Sequence, residues 1–463
     1  FLMRILPLLF LLSLPLAAEV VMPPFITCTE YGNPVTGRQF ELRVLGPLFE
    51  LFDDGKAELS VSVRPLFGFK KSERESGMEA VWPLAATRSK PSGDVFWVFP
   101  YFRYTGPDQR GSGNFVAPLC YWAHRADGSW DWLAFPFAGD VNELFSLGHT
   151  RFLLFPLLLE TRKNGMDTRS VLWPLFSHSV GRNEEKLRLL PFYASRRIDG
   201  LRWNQAWLWP LLTTAHSLSP DMPGYAFFSV PLGGYERLGK FSGRSVFWPF
   251  FTWKSHADSS FSVNAPWPFF RYGRGVHGES VLYFWPLWGR SVSAAAHFSF
   301  WLWPVGWYSE SRTSQTVRTW QCVLPLYWSM KSRDSKSGKD LSRWHHVWPL
   351  VSVVSENGRE TVRVPDLMPL KRVGALERNY APLWTLFQLD SGEDGYSFDF
   401  LWGMFGWMNS RDRSRLTVGP FYTRYVDREK DFSESQVFFG MVRTRTSPEK
   451  NTCTLFYVFD FSF

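Results

Sequence analysis

Short apolar runs alternate with clusters of turn-forming residues along the whole chain. A typical run is Val-Leu-Trp-Pro-Leu-Phe at 171–176, and polar clusters rich in Asp and Gly, such as 53–56 and 126–129, separate the runs. The runs are rich in Val, Phe, Trp and Tyr, and one turn cluster per run is typical of β-strands rather than helices. The pattern predicts an all-β chain with about 22 strands.

Each run carries the same phrase, an aromatic residue followed by proline, Leu or Phe, and a second aromatic residue. The phrase recurs about every 18 residues. The prolines in this position are Pro47, Pro65, Pro83, Pro100, Pro118, Pro136, Pro156, Pro174, Pro191, Pro210, Pro231, Pro249, Pro268, Pro286, Pro304, Pro325, Pro349, Pro369, Pro382 and Pro420. Gly403 and Gly440 take the same place in two late copies. We therefore expect one strand per repeat, with the proline inside the strand, and a single repeat β domain over 19–463.

Three architectures accommodate such a repeat. An antiparallel up-and-down barrel removes its edges by closure, and it is the β-structure that spans a membrane. A β-solenoid divides each repeat into three faces of about six residues, with proline at a corner. A soluble repeat β-sheet uses the aromatic residues as its core. We favour the barrel of about 22 strands, because a narrow solenoid interior has little room for Trp and Phe in every coil.

The first residues have the pattern of a secretory signal peptide. Arg4 precedes a largely apolar stretch, Ile5 to Ala18, which ends in small residues before Glu19. The stretch is too short to span a bilayer, and Pro7 and Pro15 disfavour a stable helix within it. We expect residues 1–18 to be a signal peptide, cleaved after Ala18.

The last residues alternate between aromatic and other side chains. Leu455, Tyr457, Phe459, Phe461 and Phe463 occupy every second position, and Phe463 is the final residue of the sequence. An aromatic face that ends in phenylalanine resembles the closing strand of Gram-negative outer-membrane β-barrel proteins. The resemblance covers about ten residues together with the signal peptide, and the strand-length repeats agree with it.

The resemblance implies a location, partners and a role for four residues. It places the protein in the outer membrane, in contact with outer-membrane lipid and with the barrel-insertion machinery. It assigns Tyr457, Phe459, Phe461 and Phe463 as the insertion signal of the closing strand. In a closed barrel this strand, from Leu455 to Phe463, lies beside the first strand and points its aromatic face to lipid.

Composition and charge narrow the classes of protein further. Hydrophobic residues make up 45% of the chain, with 24 Trp and 43 Phe, which excludes global disorder. The formal charge of +8 is scattered and forms no basic block, so we expect no nucleic-acid partner. In a barrel the Trp and Tyr rings form belts at the membrane interface; on a soluble sheet they stack on sugars.

Motifs of catalysis are absent from the sequence. It lacks the zinc-protease, nucleophile-elbow, phosphate-loop and dinucleotide signatures, and its four cysteines are too far apart for a zinc ribbon. His345 and His346 are adjacent, so in a strand they point to opposite faces and are poorly placed to share a metal. We expect no enzyme activity, cofactor or metal. The favoured function is a channel, transport or structural role in the outer membrane. The alternative is a secreted or periplasmic soluble repeat protein that binds glycan or a protein partner.

Overall fold

The computed structural model describes residues 20–29, 31–55, 58–107, 111–143, 147–356, 358–368, 373–456 and 458–463. Within these residues the fold is all-β, with forty-six strands, and every described pairing of strands is antiparallel. Two short helices, α1 (Gly374–Asn379) and α2 (Ala381–Trp384), lie in one connection. The prediction of an antiparallel all-β chain is confirmed.

The strands follow one another along the chain and are mostly four to six residues long. They are β1 Val20–Met22, β2 Ile26–Thr29, β3 Phe40–Val44, β4 Phe49–Asp53, β5 Leu59–Val63, β6 Phe67–Lys71, β7 Ser76–Ala80, β8 Ala85–Lys90, β9 Gly93–Val98, β10 Tyr101–Thr105, β11 Ser112–Val116, β12 Cys120–His124, β13 Trp130–Ala134, β14 Ala138–Asn142, β15 His149–Leu153, β16 Leu158–Lys163, β17 Met166–Val171, β18 Phe176–Val180, β19 Glu184–Leu189, β20 Tyr193–Ile198, β21 Arg202–Trp207, β22 Leu212–Ser217, β23 Gly224–Ser229, β24 Gly233–Leu238, β25 Phe241–Val246, β26 Phe251–His256, β27 Phe261–Asn264, β28 Phe270–Arg274, β29 Ser280–Phe284, β30 Trp288–Val292, β31 Ala296–Trp301, β32 Gly306–Arg312, β33 Thr316–Val323, β34 Tyr327–Asp334, β35 Asp340–Val347, β36 Val351–Glu356, β37 Arg359–Val364, β38 Phe387–Gly392, β39 Gly395–Phe400, β40 Phe405–Ser410, β41 Arg413–Val418, β42 Tyr422–Asp427, β43 Phe432–Val437, β44 Val442–Thr446, β45 Asn451–Leu455 and β46 Phe459–Ser462.

Each repeat contains two strands, where the sequence pattern predicted one. In the repeat around Pro174, β17 ends at Val171, residues 172–175 form a turn, and β18 starts at Phe176. The proline therefore lies in the turn and not inside a strand. Proline lacks an N–H and has a fixed φ, so a turn accepts it without the loss of a ladder hydrogen bond. The expected position of the proline inside a strand was therefore wrong.

The described residues cluster into two compact units. Unit 1 takes its residues from Phe1–Pro91, Pro325–Arg333 and Lys339–Phe463, and unit 2 from Ser92–Leu324 and Asp334–Gly338. The repeat runs through both units without a change of period, which is why the sequence pattern marked no boundary between them.

In unit 2 consecutive strands pair as a long meander, for example β16 with β17 and β17 with β18. Because the strands alternate in direction, every second connection lies at the same edge of the sheet. One edge of unit 2, which we call the proline edge, consists of the proline turns, such as 172–175, 208–211 and 302–305. The other edge, the polar edge, consists of connections such as 164–165 and 257–260.

In unit 1 the chain folds so that residues from its beginning contact residues near its end. Tyr31 stacks on Tyr425 with ring centroids 4.3 Å apart, and both belong to a small apolar cluster with Val35, Met408 and Phe432. The connection between β37 and β38 is the exception to the short turns, because it carries α1 and α2. Helix α1 contacts β5 and β6 of the same unit.

The end of the chain differs from the expected closing strand. Leu455 and Phe459 are paired residues of a hairpin, β45 and β46, with a turn between them where one strand was predicted. The turn has a physical reason, since Phe456 takes a left-handed φ of 53° and its amide bonds to the carbonyl oxygen of Met441, as in the other turns of this kind. Among the described pairings β46 joins only β45, β1 joins only β2, and no pairing connects β46 with β1. Closure into a barrel is therefore not present in the described sheet.

Candidate functional site

The sheet of unit 2 has two faces of different character, which follow from the alternation of side chains along each strand. One face, the small-residue face, carries many Ser, Thr, Gly and Ala side chains between buried rings such as Phe152 and Phe300. Ser170 lies opposite Ser177, Ser245 lies opposite Thr252, and all four are buried. Small side chains let neighbouring side chains and backbone cover this face closely.

The other face of unit 2, the aromatic face, carries large rings near the proline edge. Trp207 lies opposite Tyr193 with ring centroids 4.7 Å apart, and Phe284 lies between Phe270 and Trp288. Trp207 keeps 49% and Phe284 48% of its surface exposed. Exposed rings in neighbouring strands give this face a continuous apolar surface, which marks an interaction surface rather than a core.

The proline edge of unit 2 extends this apolar surface to the tips of the turns. The side chains of its turns are Ala, Val, Leu, Phe, Trp and Pro, without any charged residue; the turns are 99–100, 117–119, 135–137, 154–157, 172–175, 190–192, 208–211, 230–232, 247–250, 265–269, 285–287 and 302–305. Several tips are among the most exposed apolar side chains, with Phe137 at 65% and Leu232 at 66%.

Backbone hydrogen bonds link each proline turn to the next. In the turn 172–175, the amide of Leu172 donates to the carbonyl oxygen of Leu157, and that of Trp173 donates to Pro156, both at 2.8 Å. The amide of Leu175 bonds back to Leu172 within the turn, and Pro174 has no N–H. All the backbone donors of this turn are therefore satisfied inside the protein.

The proline turns of unit 1 follow the same rule. The amide of Phe438 donates to the carbonyl oxygen of Phe421 at 2.9 Å, and the amide of Phe456 donates to that of Met441 at 2.7 Å. The same link therefore recurs in the turns that have glycine or another residue in place of proline.

Unit 1 also contains a partly open cavity of about 550 Å³ whose lining is charged. Its walls carry eight Arg or Lys and six Asp or Glu side chains: Arg38, Arg43, Arg64, Lys70, Arg359, Arg363, Arg378, Arg415, Glu41, Glu50, Glu58, Glu377, Asp390 and Asp399. Arg43 joins strands that are far apart in the sequence, because its Nη1 lies 2.6 Å from Oδ2 of Asp399. The charges of the lining are largely paired with one another.

Glu50 is the centre of one group of these charges. It is buried, Nη1 of Arg38 lies 2.8 Å from its Oε1, and Arg64 forms a second, shorter ion pair with its Oε2. Burial alone raises the pKa of a carboxyl, but here Arg38, Arg64 and Arg43 outweigh it and hold the pKa of Glu50 well below its ordinary value.

Glu434 is the centre of a separate charged group of unit 1, outside the lining of the cavity and next to the Tyr31–Tyr425 stack. Tyr31 donates its hydroxyl hydrogen to Glu434 at 2.7 Å, and Arg445 forms an ion pair with the same carboxylate at 3.0 Å. Burial raises the pKa of Glu434, but the hydrogen bonds from Tyr31 and Gln436, together with the nearby arginines, lower it below the ordinary value.

Helix α1 closes one side of the cavity. Glu79 on β7 accepts a hydrogen bond from Nδ2 of Asn379 at 2.6 Å and forms an ion pair with Arg378. Arg64 donates to the carbonyl oxygen of Arg378 at 2.6 Å, and a Cβ atom at Gly68 would collide with the side chain of Asn379. The helix is thus held by two buried charged side chains and a close fit.

The sequence predictions for individual residues have different outcomes. Phe459 and Phe461 lie on one side of β46 and Phe463 follows it, and all three are exposed. Tyr457 and Ala18 lie outside the described residues. His345 contacts Tyr327 and His346 contacts the carbonyl oxygen of Asp366, so the adjacent histidines point to different surroundings as expected. Cys120, Cys322 and Cys453 are thiols.

The charged cavity was missed by the sequence-based prediction, which took the charges as scattered. A signal for it is the spacing of charges at alternate positions, as with Glu41 and Arg43, which both line the cavity. In a strand this spacing places both side chains on one face. Which strands face each other across the cavity is a property of the fold that no local pattern contains.

The described part of the chain contains no group of three or more His, Cys, Asp or Glu side chains placed to hold a metal ion. Neither of the two described helices has the length and apolarity that crossing a membrane requires. No protein-family model matches the chain, and no curated protein matches it.

Proposed function

We propose that this chain is a non-enzymatic protein of the outer membrane with a structural role, and that lipid covers its aromatic surface. The observation that carries the proposal is the contrast between the two faces of unit 2. Buried Ser170 and Ser245 lie on one face, while exposed Trp207 and Trp301 lie on the other. Water is a poor solvent for so large an apolar surface, whereas lipid is a good one.

The length of the strands favours a structural role over a channel. The strands of unit 2 from β9 to β31 have four to six residues. Six residues extend about 20 Å, and a transmembrane strand needs about nine to eleven. A conducting barrel of the expected kind requires longer strands and closure between the first and last strand. We therefore place a lipid-covered structural protein ahead of a pore.

Fractionation of cells that express the full chain tests the proposal. We expect the protein in the outer-membrane fraction, and we expect a wash with high salt or alkaline carbonate to leave it there, because apolar contact is insensitive to both. Detergent should release it. Recovery in the soluble periplasm or in the medium would overturn the proposal.

A second candidate is a soluble protein that binds glycan through stacked rings. It is favoured by two exposed tryptophans that lie farther from the proline edge than Trp207 does, Trp203 and Trp253, which lie opposite Arg197 and Arg244. An exposed ring beside a donor of hydrogen bonds suits a sugar. Solubility without detergent, together with retention on immobilised polysaccharide that Trp203→Ala and Trp253→Ala abolish, would favour this function.

A further inference from the structure

The proline edge of unit 2 has apolar, exposed turns throughout, and in several of these turns every backbone donor is satisfied within the protein. Its turns carry only apolar side chains, and these are strongly exposed, as at Phe99, Phe192 and Leu287. Apolar turns are unusual, because turns that face water are normally rich in Gly, Asn, Asp and Ser. The composition of these turns therefore needs an explanation from their surroundings.

The second property is the satisfaction of backbone donors in five of the turns, 117–119, 135–137, 154–157, 172–175 and 302–305, where every amide of the turn donates within the protein. In the turn 302–305 the amides of Leu302, Trp303 and Val305 all donate within the protein, at 2.7 Å each, and Pro304 has no N–H. The turns 154–157 and 172–175 have the same bonds. Water would satisfy these groups without help from the protein, whereas in lipid each unsatisfied group costs several kcal/mol. Internal satisfaction is the property that exposure to lipid demands.

A protein partner explains these observations less well. An interface with another protein usually has a polar rim and several hydrogen bonds. The proline turns of unit 2 carry no charged side chain, and the amides of the turns 154–157, 172–175 and 302–305 are already bonded within the protein. Trp occurs in six of the turns, as Trp173, Trp209, Trp248, Trp267, Trp285 and Trp303. The indole ring is favoured at the level of lipid headgroups. The chemistry of the edge therefore selects a lipid bilayer.

The height of the sheet limits how far the edge enters the bilayer. Strands of four to six residues, with seven in β32 and eight in β33, separate the proline edge from the polar edge, where Arg182, Lys240 and Asp258 lie. Six residues of a strand extend about 20 Å, whereas the hydrocarbon core of a bilayer is about 30 Å thick. If the charges of the polar edge stay in water on one side of the membrane, the proline edge therefore does not reach the interface on the other side.

We propose that the proline edge of unit 2 inserts into one leaflet of the membrane, to the boundary between headgroups and acyl chains, and that the polar edge stays in water. The inference rests on the proposed function and specifies how the protein meets lipid. The contact is with acyl chains and interfacial groups common to all phospholipids, because the turns carry no cationic side chain that would select anionic headgroups.

Flotation of the purified full chain with vesicles of phosphatidylcholine alone is the first test. We expect binding that is unchanged by 0.5 M NaCl. Leu232→Asp and Leu287→Asp, each at a turn tip, should lower the partition coefficient at least tenfold. The matched control is Leu201→Asp, since Leu201 is equally an exposed turn leucine, at 53%, but lies at the polar edge of the same unit. It should change binding less than twofold.

Asymmetric vesicles test the single leaflet. Brominated phosphatidylcholine in the outer leaflet should quench the tryptophan fluorescence of protein added from outside, and the same lipid in the inner leaflet should not. Circular dichroism confirms that each variant keeps its strands. Quenching from the inner leaflet, binding that needs anionic lipid, or equal effects of Leu287→Asp and Leu201→Asp would overturn the inference. If the protein is recovered in the outer-membrane fraction and any of these results is obtained, only the single-leaflet inference fails. If the protein is recovered as a soluble protein, the proposed function fails.

Discussion

The amide of Leu302 donates a hydrogen bond to the carbonyl oxygen of Leu287 at 2.7 Å, and this bond joins two consecutive proline turns of unit 2. The amide of Trp303 donates in the same way to Pro286. A proline in the next position of each turn removes the N–H that would otherwise lack a partner. The repeated proline therefore removes an unpaired donor from each turn at this edge, and it does not interrupt the pairing of the strands.

Replacement of the repeat proline should therefore depend on the surroundings of the turn. Pro249→Ala adds an N–H to an apolar turn, whereas Pro220→Ala adds one to the polar edge, where water satisfies it. Both changes give the unfolded chain similar extra freedom. In phosphatidylcholine vesicles we expect Pro249→Ala to lower the free energy of unfolding by about 1 kcal/mol more than Pro220→Ala. Urea denaturation followed by tryptophan fluorescence measures the difference, and equal losses would contradict a lipid-covered edge.

Loss of the Glu50 charge should destabilise unit 1. Glu50→Gln leaves Arg38 and Arg64 without the carboxylate between them, and Arg64 keeps only 4% of its side chain exposed. Removal of one partner from a buried ion pair typically costs about 3 to 5 kcal/mol. The control is Glu429→Gln, at an exposed position, where we expect less than about 0.5 kcal/mol. Thermal or urea unfolding distinguishes the two, and similar losses would show that the Glu50 group contributes little.

The same carboxylates predict how stability depends on pH. Glu50 and Glu434 have pKa values lowered by folding, so the stability that they supply is present above the pKa of an unfolded glutamate, about 4.3. It is lost as the pH falls from that value towards the lower folded pKa. We expect the melting temperature to drop below about pH 4.3, and the drop to be smaller in Glu50→Gln. Melting curves from pH 7 to pH 2.5 test this, and parallel curves for both proteins would contradict it.

The all-β class was predictable because turn clusters and β-favouring residues alternate locally. The position of the proline was not, since an apolar turn such as 172–175 and the centre of an apolar strand have the same local pattern. The end of the chain illustrates the same limit. Leu455 and Phe459 belong to paired strands, yet Leu455, Tyr457 and Phe459 occupy every second position of the sequence, which also suits one face of a single strand.

The charged cavity depends on relationships that local sequence does not contain. Arg43 pairs with Asp399 in the lining of the cavity, and Tyr31 bonds to Glu434 elsewhere in unit 1, although each pair is separated by more than 350 residues. Alternation of charges predicts only that neighbours such as Arg443 and Arg445 share a face. The choice of partner follows from the way unit 1 brings early and late segments of the chain into contact.

The tight packing at the small-residue face leads to a last prediction. Gly234 lies on this face, opposite Phe228 and Ser245, and a Cβ atom there would collide with the carbonyl oxygen of Phe227. Because the obstacle is backbone, the strands must move apart to admit a methyl group, and overpacking of this kind costs about 1 to 3 kcal/mol. Gly392→Ala is the control, since a Cβ there would meet the carbonyl oxygen of Gly358 at an ordinary contact distance of 3.8 Å. We expect Gly234→Ala to lower the urea midpoint clearly and Gly392→Ala to change it little; unchanged stability of Gly234→Ala would mean that the two strands are less closely paired than their register indicates.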